Sequence, residues 1–597
     1  MPMIWRTNNG CSFTAISITL IAISATNSLG LAFSTIRSDN SGRCLAHRHR
    51  RRRRGCRNGM VMSSSTSTIS EGDILDCPKE GQPTYVVEFK NNDSDAKNKS
   101  FNAQVFASSN CWGRRPYLMR RAFDPNLLLD SVGENDDGGG GGEESIAAWP
   151  SWEEVVEIAA DDESESRIIS HIPGDHASFD LRWGPLSKKD TNSWLSKGSD
   201  DTKKDKRRET LVVNDIDRFH PPLADWMHDT FRFLPNWRMD DGQISLSEQG
   251  GGIGPHVDNY DVFLIQMSGT RTWKVGRRKI NAQEERDRTI DGLDVRVLND
   301  GSSSDDGEKE REMEHDEIME EWIVNPGDLL YIPPRVAHCG TALSSDCMTL
   351  SVGCRAPSVS DLLSKLAERL SSSIEESAVR RYADDDLLKG SVVDDDHLED
   401  ALPGELTLNA KESAKHLVID SLTSLISDDE WWDEFFGRYV TEQKRVRNNY
   451  PIPLEDWVDD SGGSEEDLSD EWGNAQSTVQ SVLAGRGVLY QAEGIAFAYS
   501  SISSKVHRGR SSHRFFVNGE MWQSDSQSTG AAKHNDMAQI FQLVSNHRRL
   551  DRTIILLAMH NGSGKHDSST QPHLLAPEAL QFLEELVSAG VLYGSEE

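Results

Sequence analysis

GGGIGPHVD, residues 250–258, is the stretch on which the fold turns. Its glycine-rich start is a turn, and the residues after it run extended. In an extended segment side chains at i and i+2 point the same way, so His256 and Asp258 aim at one point. Imidazole plus carboxylate suits Fe(II), and one more histidine completes a facial triad that leaves positions open for a co-substrate and oxygen. An HxD pair alone arises by chance, and a lone histidine is usually structural, so the third ligand decides the reading.

His338 is the candidate third ligand. It lies 80 residues beyond Asp258, at the end of NPGDLLYIPPRVAH, residues 325–338. Gly-Asp opens a strand there and Pro-Pro turns the chain, which brings His338 on a strand opposite the first motif. Arg271, fifteen residues beyond His256 at the start of the next strand, can point into the same barrel. Its guanidinium fork suits the far carboxylate of a keto acid such as 2-oxoglutarate. Ser247 on the preceding strand can add a hydroxyl donor. The alternative for Arg271 is a surface hairpin charge like Arg277 and Arg278.

Outward from this motif, residues 243–248, 262–267, 272–275, 322–324, 329–332 and 348–354 read as short strands broken by Gly-Asp, Ser-Gly and Pro-Pro turns. That punctuation predicts a double-sheet jelly roll of the cupin kind, within an α+β chain. Helices are expected at 151–160 and 222–231, with strands near 168–171, 177–183 and 210–213. Polar or acidic inserts are expected at 133–146, 187–208 and 281–321. After Pro357 the pattern turns helical: Ser358 with Asp361 forms a helix start, and Leu362, Leu363, Leu366 and Leu370 share one face. Trp431, Trp432, Phe435 and Phe436 sit at helical spacing and read as core or interface rather than a ligand cage.

Residues 245–278 (SLSEQGGGIGPHVDNYDVFLIQMSGTRTWKVGRR), with NPGDLLYIPPRVAHCGTAL and MTLSVGCRAP, closely resemble the JmjC/cupin ribosomal oxygenases. The resemblance is to the bacterial-type branch, which hydroxylates an arginine of a large-subunit ribosomal protein. It covers roughly Phe101 to the C-terminus. It implies a JmjC-type double-stranded β-helix with iron ligands His256, Asp258 and His338, and 2-oxoglutarate contacts from Arg271 and Ser247. Tyr260 and Asp261 would lie at the substrate entrance. It also implies a dimerising helical region at 358–450 and a winged-helix-like domain at 451–597. The resulting expectation is an Fe(II)- and 2-oxoglutarate-dependent dioxygenase that uses O2 to hydroxylate a ribosomal protein, arginine first and histidine second. Rival expectations are histone lysine demethylation and a non-catalytic cupin assembly factor. Thr349 departs from the bacterial pattern near the co-substrate.

Of 597 residues, 64 are basic and 97 acidic. Residues 1–62 hold ten Arg and one acid, so the remainder has 54 basic against 96 acidic residues, a net of −42. Such a body repels nucleic acid and favours a basic protein segment, unless the charge serves solubility alone. The first 62 residues read as a targeting leader: an apolar stretch from Phe13 to Ala25, then an Arg-rich segment ending near Arg54. In tandem these resemble a bipartite plastid leader, with mitochondrial import or a nuclear address as alternatives. Residues 63–100 read as a loose linker, and no later stretch is apolar enough to span a membrane. The eight cysteines show no CxxC pairing and read as reduced thiols.

Overall fold

The computed structural model describes residues 85–88, 101–129, 147–196, 207–289, 320–372, 406–443, 474–503, 511–525, 531–560 and 575–595, except 102, 174 and 407, together with 298 and 381. The leader, the linker apart from one strand, the Gly-rich insert at 133–146 and His315 lie outside the described residues.

Twelve strands build the N-terminal half: β1 (Tyr85–Glu88), β2 (Tyr117–Arg120), β3 (Ser166–Ile172), β4 (Asp175–Trp183), β5 (Arg208–Val213), β6 (Met239–Ser247), β7 (Asp261–Ser268), β8 (Arg271–Lys279), β9 (Glu320–Val324), β10 (Leu329–Ile332), β11 (Val336–Ala342) and β12 (Cys347–Cys354). Nine of them form one sheet in the order β1-β2-β10-β7-β12-β6-β5-β3-β4, and β11-β8-β9 form a second. An isolated antiparallel bridge between His256 and His338 extends the second sheet by one more segment. The eight consecutive segments from Met239 to Cys354 thus fall four in each sheet, changing sheet at every step except between β8 and β9, the wiring of a double-stranded β-helix.

The period of two along each strand separates two faces. On β7, Phe263, Ile265 and Met267 join Ile244, Leu246, Leu350 and Val352 in the larger core, under helices that contribute Val155, Val156, Leu223 and Met227. The alternate residues Val262 and Leu264 turn inward, where they pack with Leu330 and Ile332 and with Trp273, Val275, Val324 and Val336 of the second sheet. The apolar residues of both faces are nearly all fully buried. One face therefore stabilises the scaffold while the other lines the barrel.

Two expected inserts carry structure. Lys188–Leu195 is a helix within 187–208, started by a capping box between Ser187 and Asp190. Trp194 is the reason: its ring is buried and lies 6.0 Å from that of Trp152. A single aromatic among polar residues is enough to dock this turn. Similarly Ala282–Arg288 is a helix capped by Asn281 at the start of 281–321.

After β12 come the helices Val359–Ser372, Leu408–Ile426 and Asp429–Thr441. Residues beyond 474 carry a separate core, with Phe515 packed on Phe541 and Phe582 at ring distances of 5.6 and 5.0 Å. A three-stranded antiparallel meander of β14 (Phe497–Ser503), β15 (Ser511–Val517) and β16 (Glu520–Asp525) forms one side of it; Val488–Gln491 belongs to another small sheet and is β13. Arg548 fastens this part to the jelly roll, donating to Asp225 (2.6 Å) and Glu493 (2.7 Å). Among the described residues no helix is long and apolar enough to cross a membrane, and the cysteines are free thiols.

Candidate metal centre

The glycine run sets the position of the motif. Gly254 has φ +95°, a region that L side chains avoid, and a Cβ on Gly252 would collide with the carbonyl of Gly340. The chain can therefore pass flat against β11 and pair with it. His256 N–H donates to the His338 carbonyl (3.0 Å) and His338 N–H returns to the His256 carbonyl (2.9 Å). The two imidazoles end 4.2 Å apart, centroid to centroid. Asp258 Oδ2 lies 3.5 Å from His338 Nε2. One donor atom from each of His256, Asp258 and His338 falls within 4.8 Å of the others, the only such triplet of metal-binding side chains among the described residues.

The remaining ring nitrogens test whether an ion fits. His256 Nδ1 donates to the Gly254 carbonyl (2.8 Å) and His338 Nδ1 to the Val336 carbonyl (3.0 Å). Each bond fixes the tautomer and leaves Nε2 as a lone-pair donor, the arrangement a metal site requires. Burial, with His256 as second cause, pushes the His338 pKa down to about 4 although Asp258 opposes it. His338 is thus neutral and ligand-ready at physiological pH. Two imidazoles and a carboxylate fit Fe(II).

The triplet opens onto a cavity of about 770 Å³ lined also by Gln243, Ser245, Tyr260, Val262, Leu264, Arg271, Trp273, Thr349 and Ser351. Arg271 is 1% exposed, and none of the described carboxylates forms an ion pair with it. Its Nη2 donates to Ser247 Oγ (2.7 Å), Nε faces Cys347 Sγ (3.4 Å), and the guanidinium carbon lies 5.6 Å from the Trp273 ring centre. A buried cation whose described partners are all neutral calls for an anion, and the cavity is where one can reach it.

The other expected site residues fall differently. Ser247 is fully buried; its Oγ lies 3.0 Å from Thr210 Oγ1 and accepts from Arg271, so it stands beside the guanidinium that lines the cavity. Tyr260 lines the cavity, and its hydroxyl pKa is raised by burial and then by Asp258, Asp241 and Asp240. Asp261 does not line it. Asp261 starts β7 and faces the outer layer with Phe263, where its carboxylate accepts from Tyr331 Oη (2.5 Å) and Arg238 (3.1 Å). Burial raises its pKa against those two bonds. The wall residues Gln243, Ser245 and Ser351 were missed, although alternation along β6 and β12 places them on the inward face; Thr349, singled out near the co-substrate, lies on the same wall. Thr349 Oγ1 donates to Gln266 (2.9 Å).

Comparison with known proteins agrees with this geometry. The family model described as JmjC domain matches residues 226–362, a span that contains all three candidate ligands and Arg271. Residues 226–362 are a JmjC domain. The chain is homologous to ribosomal oxygenases: it is 29% identical over 336 residues to the ribosomal protein uL16 3-hydroxylase of Escherichia coli (strain K12), covering 56% of this chain and 70% of that protein. A probable ribosomal oxygenase of Haemophilus influenzae is 31% identical over 257 residues, 43% of this chain and 50% of that one. The X-ray structure of E. coli ycfD has the same fold, with TM-score 0.52, 21% identity, and coverage of 83% of this chain and 99% of that one. YcfD has also been solved with cobalt and 2-oxoglutarate (TM-score 0.50, 22% identity, 83% and 99% covered). The matched JmjC domain ends inside the helix Val359–Ser372, just past the residues that close the cavity.

Proposed function

We propose that this chain is an Fe(II)- and 2-oxoglutarate-dependent dioxygenase that hydroxylates a side chain of a large-subunit ribosomal protein, arginine first and histidine second. The observation that carries the reading is the meeting of the His256–Asp258–His338 triplet and the buried cation Arg271 in one cavity. The homology to a uL16 hydroxylase supports the ribosomal substrate. His256, Asp258 and His338 would hold the iron, and Arg271 the distal carboxylate of 2-oxoglutarate, with Ser247 and Thr210 keeping the guanidinium in place. Once bound, the metal and co-substrate supply the oxidising chemistry, in which O2 and 2-oxoglutarate give succinate, carbon dioxide and one oxygen atom for a C–H bond.

The protein's part is to orient and to exclude water. Val262, Leu264 and Trp273 present apolar surface on the inward face of the barrel. Beside it, a smaller cavity of about 200 Å³ shares Arg167, Gln243, Tyr260, Val262, Ser351 and Arg355 with the larger one and adds Asp240 and Asp241. The Tyr260 ring suits a stacked guanidinium, and Asp240 already holds one there, that of Arg355 at 3.0 Å. This favours arginine over histidine. The decisive experiment is intact-mass analysis of large-subunit ribosomal proteins from cells with and without this gene. A protein heavier by one oxygen only when the gene is present is expected; no shift in any of them overturns the substrate. Formaldehyde release from methylated histone peptides would favour lysine demethylation, and absent succinate formation with Fe(II) and 2-oxoglutarate would favour a non-catalytic assembly factor.

The finer organisation belongs to the same reading. Residues 101–357 make the oxygenase domain. Residues 358–450 make a dimerisation region, supported by the exposed apolar side chains Leu363, Val418, Ile419 and Ile426 on two of its helices. Residues 451–597 make a winged-helix-like domain, supported by its helices packed on the β14–β16 meander. Residues 1–62 are a leader to the plastid, and 63–100 a linker. The partner is a basic ribosomal protein, with no direct binding of nucleic acid or membrane.

A further inference from the structure

The wall of the active-site cavity does not end at the jelly roll. Arg355, Ala356 and Asp361 line it and at the same time line an adjoining groove of about 430 Å³. Trp237, Pro357, Tyr439 and Val440 provide most of the groove's apolar surface. These residues come from three places: the turn before β6, the start of the helix Val359–Ser372, and the end of the helix Asp429–Thr441. Each is fixed. Trp237 meets the Phe436 ring edge-on at 5.7 Å, and Tyr439 lies parallel to Phe435 at 6.4 Å. Ser358 and Asp361 cap the first helix reciprocally, at 3.1 Å each way. Lys365 joins the helices across the groove by its bond to Glu442 (2.7 Å).

The segment they share is held in place. Arg238 donates to the carbonyls of Arg355 (2.6 Å) and Cys354 (3.4 Å) while paired with the buried Asp261 (3.1 Å). Arg355 in turn pairs with Asp240 (3.0 Å). Cavity and groove are therefore two compartments that share one well-bonded rim.

We propose that this groove is a second subsite of the active site, which takes an apolar side chain of the substrate polypeptide a few residues from the one that is hydroxylated. The assignment rests on the reading of the cavity as the place of a protein side chain. The occupant follows from continuity: a chain that feeds one side chain into the cavity past Tyr260 must cross the Arg355–Asp361 rim, and an extended chain advances about 3.3 Å per residue, so its neighbours reach the groove. The ring and aliphatic surface there suits an apolar side chain, while the groove's charges are already matched, Glu442 by Lys365 and Asp361 by the helix cap. Asp261 and Arg238 are positioning residues that act through the rim.

The test uses the full chain with peptides of about 20 residues from the ribosomal protein uL16, each spanning one arginine or histidine. Ser364, exposed on the helix and lining the groove, is changed to Trp to fill it and to Ala as a control. For a peptide that is hydroxylated, Ser364→Trp is expected to raise KM about tenfold, the scale of one lost apolar contact. Ser364→Ala, and 2-oxoglutarate turnover without peptide, stay unchanged. Replacing one apolar residue near the target by Ser gives the same rise, and the two changes together give no more than either alone. An unchanged KM with Ser364→Trp overturns the groove while leaving the substrate reading intact. If no uL16 peptide gains oxygen although 2-oxoglutarate is still consumed, the substrate reading fails and the groove assignment falls with it.

Discussion

The floor and the rim of the cavity are built by opposite means. At the floor, two metal ligands are paired to each other through their backbones, and the cation is sealed inside the barrel. The contributing residues come from β8, β11 and one glycine-led turn. At the rim, Tyr260, Asp240, Arg355 and Asp361 come from separate segments, joined by side chains, as in the Asp240–Arg355 pair, and not by a shared ladder. A floor made from backbone pairing tolerates little change and fixes the chemistry. A rim made from side chains can be re-cut without touching the sheets, and so selects the substrate.

The sharpest way to break this contrast is at the floor. Asp258→Ala should reduce succinate formation to background with or without protein substrate, and lower Fe(II) affinity in a metal titration; retained turnover would show that the carboxylate is not a ligand. Arg271→Ala comes next. Removing one side of a buried charge pair costs roughly 2–5 kcal/mol, so KM for 2-oxoglutarate should rise at least ~30-fold while Fe(II) affinity is kept. At the rim, Asp240→Asn with Asp241→Asn should raise KM for the ribosomal substrate about tenfold and leave KM for 2-oxoglutarate unchanged. Equal effects on both constants would erase the distinction between floor and rim.

Two smaller effects sharpen it. Asp261→Asn weakens the hold of Arg238 on the rim, so Tm should fall by a few degrees, at about 1–3 kcal/mol for a disturbed buried network. KM for the protein substrate should rise modestly with kcat kept. Asp217, behind the sheet, accepts from Gly242 N–H (2.7 Å) and burial raises its pKa to about 7. Its folded pKa exceeds its unfolded one, so its favourable contribution is complete below the unfolded value and is lost as pH rises toward 7. Asp217→Asn should therefore gain Tm relative to the unaltered chain at about pH 8 compared with about pH 5, and a constant difference would contradict this.

The floor was legible in the sequence because its determinants are short and local. Spacing of two put His256 and Asp258 on one side, and a strand start put Arg271 in the barrel. Asp261 was misplaced although the same spacing holds the answer: 258, 260, 262 and 264 face inward, so 261 cannot. Ser247 was singled out as a hydroxyl donor on the preceding strand, and its bond to Arg271 is what the spacing could not show. The helix at Lys188–Leu195 was hidden since one tryptophan outweighs six polar neighbours only once Trp152 is known to be opposite. The groove was beyond reach altogether: positions 237, 357 and 439 carry no common pattern, and only tertiary packing joins them.

The reciprocal amide bonds between His256 and His338 have a consequence for the protein without its ion. Both imidazoles are already oriented by the sheet, so capture of iron need not wait for the chain to find its shape. Chelation should silence turnover while leaving circular dichroism nearly as it was, and re-addition of Fe(II) should restore activity as fast as the ion can enter, with no refolding lag.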